Sequence, residues 1–456
     1  MRAAWARCSS NCFFLTLARG ERRDYSDAMS SKEEFTGDGP HDESLAPRLP
    51  FPELVALTAA FMALNALAVD MMLPALGIIG TELGAAQDND RQLIIVVYLL
   101  GNGIAQLFFG PLVDHFGRRR VLLWALGGYI VGSALSIVAS SFTLLLAARA
   151  FQGVTTAATR VASIALVRDQ CSGRRMAEVM SLAITIFMAA PILAPSFGQL
   201  LLIAAPWRGI FVALLLYGLV LAIWAYWRAP ETLPPSARTP FNLHQVFASY
   251  KEFATTRISI GYTLSSALVF GALFGYISAS EQIFIETFDL GPYFPMAFAA
   301  VAISLAGASM TNARLVGRFG MRRLAHTALL SFVIINIVHL AIVSIAGDSL
   351  VLFILFTGLS FFCLGLIGAN MSSLALQPMG HIAGSAAAAN GFAGTTVAGF
   401  LGGLIGRFYD GTTTPIVMGF ACLGMCAFAI VLWTEKGRLF HSSEADAAAY
   451  AAGERE

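Results

Sequence analysis

The sequence predicts an all-α membrane protein of 12 transmembrane helices in two six-helix halves. Of its 456 residues, 57% are hydrophobic and 12% are charged, whereas soluble domains carry roughly 25% charged residues. Apolar runs of about 20 residues, the length that crosses a bilayer, recur twelve times. A nine-residue segment also occurs twice at equivalent places in the two sets of runs. Lipid is therefore the expected solvent.

The apolar runs fall into two sets of six, separated by a polar connection rich in Pro and charge. They lie near 54–79, 92–112, 120–140, 143–166, 178–203 and 207–228, and then near 259–283, 293–315, 325–346, 350–375, 383–406 and 415–434. We refer to them as span one to span twelve. The predicted domains are a disordered cytoplasmic tail (1–50), a first half (51–228), a cytoplasmic central loop (229–257), a second half (258–435) and a cytoplasmic tail (436–456). Met29 is a candidate alternative start.

The repeated segment supports this division into halves. Residues 112–120 and 315–323 match at six of nine positions with an offset of 203, and each copy follows the second span of its half. Self-similarity at a fixed offset is typical of an internal duplication, and parallel repeats are a known plan of transporters.

The basic residues indicate the orientation in the membrane. The clusters of Arg and Lys, among them Arg118, Arg119 and Arg120, fall in alternate loops between the spans. Loops enriched in Arg and Lys face the cytoplasm. We therefore expect a multi-pass protein of the cytoplasmic (inner) membrane with both termini inside. A net charge of +1 argues against a nucleic-acid partner. We find no nucleotide or hydrolase motif and no metal-ligand spacing, so we expect no cofactor, no metal, no enzyme activity and a monomer.

Asp70 in span one and Arg149 in span four are charges inside apolar runs. Each costs about 2.5 to 3.5 kcal/mol on insertion scales, so each needs a partner, a cavity or a function. Both lie about 11 to 12 Å below the same end of their spans, which permits an ion pair. Asp70 is the candidate proton carrier and Arg149 its charge partner. The alternative is a permanent salt bridge that only holds the first half together.

Polar residues recur at helical spacing in span four and, more weakly, in span two. The span-four set predicts a cavity-lining face, although Arg160 has the alternative of extending to the interface. For the span-two set, interhelical hydrogen bonding is an equal alternative. The span-four set is Arg149, Gln152, Thr156 and Arg160, and the span-two set is Tyr98, Asn102 and Gln106. The predicted substrate-cavity residues are Tyr98, Asn102, Gln152, Thr156, Phe187, Tyr276, Phe362 and Asn370.

Span five contains Pro191 and Pro195, followed by Gly198. Each Pro removes a helix hydrogen bond and bends the helix, so the segment is a gate element or, alternatively, a static kink. Glu281, near one end of span seven, is either an interfacial charge or a second carboxylate on the transport path.

Residues 110–119 fit the pattern G-x-L-x-D-x-x-G-R-[RK] with Gly110, Asp114, Gly117, Arg118 and Arg119. This segment resembles the signature loop of the major facilitator superfamily. Residues 70–76 resemble the first-helix signature of its Bcr/CflA drug-resistance branch, the run Leu145-x-x-x-Arg149-x-x-Gln152-Gly153 resembles the fourth-helix motif of proton transfer, and span five resembles the antiporter motif. The sequence departs from the antiporter motif at Ala194 and Gln199, and Glu281 stands where the Bcr/CflA branch usually has Pro.

The resemblance implies a proton-coupled antiporter that exports small amphipathic drugs or toxic metabolites by alternating access. It carries proton coupling onto Asp70 and Arg149, and a cytoplasmic gate onto the 110–119 loop. The expected partners are such substrates, protons and the lipid bilayer. The alternative function is a metabolite importer or facilitator on the same scaffold. Arg160 and Glu281 would favour anionic or zwitterionic compounds.

Overall fold

A computed structural model describes residues 49–238 and 243–440 of the chain. The predictions for most of the N-terminal tail and for the last residues of the C-terminal tail fall outside these ranges. Within them, ten segments are long and apolar enough to cross a membrane. One of these, Leu350–Arg407, is two crossings, because the short segment Gln377–Ile382 interrupts it. The helix Phe142–Gln170 is 29 residues long and supplies the remaining crossing, since its charged residues lower its hydropathy.

The twelve crossings of the described chain agree with the runs predicted from hydropathy. In the first half, spans one to six are Phe51–Glu82, Asp88–Phe116, Arg118–Ile137, Phe142–Gln170, Gly173–Ala204 and Arg208–Arg228. In the second half, spans seven to twelve are Arg257–Thr287, Gly291–Phe319, Met321–Ala346, Leu350–Leu376, Ala383–Arg407 and Thr414–Thr434. We call the side on which span two meets span three the Arg-rich end, and the other side the opposite end.

Span one is broken near its middle. Its first helix ends at Asp70, a 3-10 turn covers Leu73–Ala75, and a second helix runs over Leu76–Glu82. Pro74 accounts for part of this break, because it has no N–H to donate to the carbonyl group of Asp70 four residues earlier. The chain thus places the Asp70 carboxylate at the end of a helix, where backbone groups lack their regular partners.

The connection between the halves contains a helix, Leu243–Thr255, that the sequence analysis did not predict. Phe253 on this helix is buried against Met379 and Ala386 of the second half. The Tyr250 hydroxyl donates to the carbonyl oxygen of Leu107 in span two at 2.5 Å. Burial raises the pKa of Tyr250 to about 12. The helix therefore contacts both halves at the Arg-rich end.

Candidate functional site

A cavity of about 360 Å³ lies between the two halves. Its wall is made by spans one, two, four and five of the first half and by spans seven, eight, ten and eleven of the second. Aromatic side chains supply much of the surface, and Tyr276 stacks on Phe298 with ring centroids 5.3 Å apart. An apolar, aromatic cavity with few polar groups is typical of sites for amphipathic small molecules. The aromatic lining residues are Phe187, Phe270, Phe274, Tyr276, Phe298 and Phe361.

Asp70 lies in the wall of this cavity and is 3% exposed. Among the described residues, its carboxylate has neither an ion pair nor a hydrogen bond within normal distances. The hydroxyl of Tyr276, also in the wall, has no hydrogen-bond partner in the described structure. Because buried polar groups are normally satisfied, these two groups mark a place for protons, water or a ligand.

Arg149 is fully buried but does not form the expected ion pair with Asp70. It donates to the carbonyl oxygen of Ala68 at 2.9 Å and to the side chain of Gln152. Its guanidinium group also lies over the ring of Tyr98, 4.4 Å from the centroid. The guanidinium thus holds the end of the first helix of span one, two residues before Asp70. A permanent salt bridge is not formed in this conformation, and Asp70 remains available to the cavity.

Of the eight predicted cavity residues, Phe187 and Tyr276 line the cavity. Four others, Tyr98, Asn102, Gln152 and Thr156, lie between spans one to four, where they are buried and hydrogen-bonded. Their interactions include Tyr98 to Asn65 at 2.7 Å and Gln152 to Ser133 at 2.8 Å. The polar face of span four therefore packs mainly against neighbouring helices, and of its members Arg160 lines the cavity.

The two remaining predicted cavity residues are in span ten. Phe362 packs against the hydrophobic core, whereas its neighbour Phe361 lines the cavity. Asn370 donates to the side chain of Asn312 at 2.6 Å and to the carbonyl of Leu366. Neither residue is part of the cavity lining in this conformation, and apolar span ten carries too weak a periodic signal to show which of its faces meets the cavity.

The Pro-containing segment of span five approaches the break in span one. Pro191 lines the cavity, and Pro195 lies one turn further along the same helix. A Cβ atom built at Gly198 would overlap the carbonyl oxygen of Met71. The missing side chain thus allows span five to touch the backbone beside Asp70. Span five therefore packs directly against the segment that carries the carboxylate.

The loop signature forms an ion-pair cluster at the Arg-rich end. Arg118 contacts Asp114 at 2.7 Å and Asp169, at the end of span four, at 3.0 Å. Gly117 has a φ of 97°, a conformation that favours glycine. Arg119 donates to the carbonyl oxygen of Tyr226 at 2.5 Å. A Cβ atom built at Gly110 would have no neighbouring atom within 4 Å, so packing does not require glycine there.

Sequence reasoning missed Glu231, which follows span six. Its carboxylate accepts the backbone N–H of Arg118 at 2.9 Å, so it stabilises the N-terminus of span three. In the second half, Glu435 occupies a similar place after span twelve and pairs with Arg322 at 3.5 Å. The signal that could have revealed Glu231 in the sequence is that an acidic residue follows the last span of each half. In this conformation the loop cluster joins elements of one half.

Within the described residues, the ion pairs that join the two halves lie at the opposite end. Arg91, at the start of span two, pairs with Glu281 at 3.5 Å and also with Glu286. Gln282 donates to Asn89 at 2.7 Å. Glu281 is 5% exposed, so it is a buried, paired residue rather than a superficial interfacial charge. We call Asn89, Arg91, Glu281, Gln282 and Glu286 the inter-half network. The cavity lies on the Arg-rich side of this network, because its lining residues extend from Ile277 to Thr263 along span seven.

The described part of the chain therefore has the architecture of a multi-pass membrane transporter, with two six-helix halves around a central cavity. The family model of the Major Facilitator Superfamily matches residues 58–406. The chain belongs to the major facilitator superfamily.

Three similar proteins illustrate this membership. The uncharacterized MFS-type transporter YdgK of Bacillus subtilis is 29% identical over 382 residues, covering 83% of this chain and 93% of YdgK. The bicyclomycin resistance protein homolog of Haemophilus influenzae is 28% identical, covering 80% of this chain and 90% of its own. The xylose transporter XylE from E. coli, in a partially occluded inward open conformation, aligns with a TM-score of 0.66 and 13% identity, covering 84% of this chain and 98% of XylE. The last comparison concerns the fold alone.

Proposed function

We propose that this protein is a proton-coupled antiporter that exports small amphipathic drugs or toxic metabolites across the cytoplasmic membrane. The observation that carries the proposal is the unpaired carboxylate of Asp70 in the wall of an aromatic cavity between the halves. An ionisable residue at membrane depth that faces a cavity is a candidate for ion or proton coupling. The similarity to a bicyclomycin resistance protein homolog supports a drug-type substrate.

In this proposal the Arg-rich end faces the cytoplasm, in accord with the positive-inside rule. The inter-half network then closes the external side, and the cavity receives substrate from the cytoplasm or the inner leaflet. Asp70 exchanges its proton as the two halves rock against each other during alternating access. The contact of Gly198 with Met71 couples span five to this proton exchange. Arg149 positions the end of the helix that carries Asp70. The ion pairs of the 110–119 loop belong to the cytoplasmic gate.

Transport assays distinguish export from import or facilitated diffusion. Cells that express the protein are profiled for growth protection and intracellular accumulation against a panel of amphipathic drugs and metabolites, with and without a proton uncoupler. The proposal predicts lower accumulation of some compounds and loss of that effect with the uncoupler. Uncoupler-insensitive protection, or proton-driven uptake in vesicles of known orientation, would contradict it.

A further inference from the structure

The cavity wall contains two charged side chains among the described residues, and they are far apart. These are Asp70 and Arg160. Arg149, which contacts the backbone close to Asp70, is separated from Arg160 by eleven residues of span four, or about 16 Å of helix rise. Two charges separated in this way define two different ends of one cavity.

The guanidinium group of Arg160 has neither an ion pair nor a hydrogen bond within the described residues. It lies ten residues before the end of span four at Gln170, about 15 Å along the helix. The side chain is exposed and lines the cavity instead of extending to the interface, so its charge faces the space that a ligand would occupy. A ligand that brings a negative charge would therefore supply the missing partner.

The surroundings of Arg160 suit the polar head of such a ligand. Thr263, Ser266, Ser372 and Asn390 line the cavity toward the same end and offer neutral hydrogen-bonding groups, and Thr263 donates to Asn390 at 3.0 Å. Aromatic rings occupy the wall between this polar end and Asp70. Rings accept an apolar body, and a guanidinium group binds carboxylates and other oxyanions through paired hydrogen bonds.

We propose that the transported substrates are amphipathic organic anions or zwitterions, with the anionic group bound by Arg160 and the apolar body packed among the aromatic rings. This inference rests on the proposed transport function of the same cavity. It leaves Asp70 free of the substrate's negative charge, so substrate binding and proton exchange occupy separate ends. A substrate anion placed beside Asp70 would instead repel the carboxylate.

Binding of three matched naphthalene compounds tests the inference. The full-length purified protein in detergent is equilibrated with 2-naphthaleneacetate, its uncharged carboxamide and 2-(2-naphthyl)ethylamine, and binding is measured by equilibrium dialysis. We expect the wild type to bind the acetate about tenfold more tightly than the carboxamide, in line with a charge-assisted hydrogen bond. Arg160→Gln should abolish this preference, and Arg160→Lys should keep most of it.

Arg168→Gln is the matched control, because Arg168 lies on the same helix, is exposed and is not part of the cavity wall. Unchanged binding of the carboxamide to Arg160→Gln shows that this variant is folded. The inference is overturned if the wild type does not bind the acetate measurably, if it prefers the carboxamide or the amine, or if Arg160→Gln keeps the preference for the acetate. If transport is insensitive to the uncoupler while the binding preference for the acetate is intact, only the proposed proton coupling is rejected.

Discussion

Replacing Arg91 with Gln is expected to shift the protein away from the conformation described here, in which the inter-half network holds the opposite end together. Arg91 belongs to the first half, and both of its acidic partners, Glu281 and Glu286, belong to the second. The Gln substitution keeps a polar side chain but removes the positive charge. It leaves Glu281 buried without its cation.

The magnitude follows from the burial of the pair. Removing one partner of a buried ion pair costs about 3 to 5 kcal/mol. The Arg91 side chain is 10% exposed and that of Glu286 is 44% exposed, so solvent screens part of the interaction. We therefore expect a loss of about 2 to 3 kcal/mol, which shifts the conformational equilibrium about 30- to 150-fold. Adding Glu281→Gln should restore part of this loss, because it removes the unpaired carboxylate.

Spin labels on Ala86 and Tyr293, exposed residues of the two halves at the opposite end, report the change. Pulsed electron paramagnetic resonance in a cysteine-free background should show a new population with longer distances in Arg91→Gln. Arg208→Gln is the control, because Arg208 pairs with Glu82 inside the first half. Unchanged distance distributions in Arg91→Gln, or an equal shift in Arg208→Gln, would refute the reasoning.

Two further substitutions test contacts of the candidate site. Gly198→Ala should lower thermal stability in detergent by about 1 to 3 kcal/mol and reduce transport, because its Cβ would overlap the Met71 carbonyl; Gly127→Ala, which has open space, should do neither. Arg118→Ala should lower the thermal unfolding midpoint far more than Arg120→Ala, since Arg118 is 5% exposed and paired with two carboxylates whereas Arg120 is exposed. Equal effects within either pair would contradict the assigned contacts.

Hydropathy and charge were sufficient to predict the crossings, because the length of an apolar helix is set by the bilayer. The cost of burying a charge also drew attention to Asp70, which the structure places in the cavity wall. The hydropathy of a span and the cost of burying a charge depend on residue type and on depth in the membrane. Neither depends on which helices are neighbours.

Helical spacing was less informative about the cavity. It placed Gln152 and Thr156 on one face, but it did not reveal that this face packs against other spans, whereas Arg160 reaches the cavity. The Arg91 to Glu281 pair escaped prediction because 190 residues separate the partners. The connecting helix Leu243–Thr255 escaped because its 13 residues are too few to form an apolar run of membrane-spanning length. Such features depend on tertiary packing, which a single sequence does not encode in a local pattern.

The most direct test of the central claim, that Asp70 carries the coupled proton, compares two transport modes of Asp70→Asn in proteoliposomes. The assay uses a compound that the wild type exports in an uncoupler-sensitive way, and it measures both accumulation driven by a pH gradient and exchange between labelled and unlabelled substrate without a gradient. The account predicts that the variant loses accumulation but retains exchange, because the neutral side chain cannot release a proton while the cavity persists. Accumulation by Asp70→Asn at the wild-type level would contradict it.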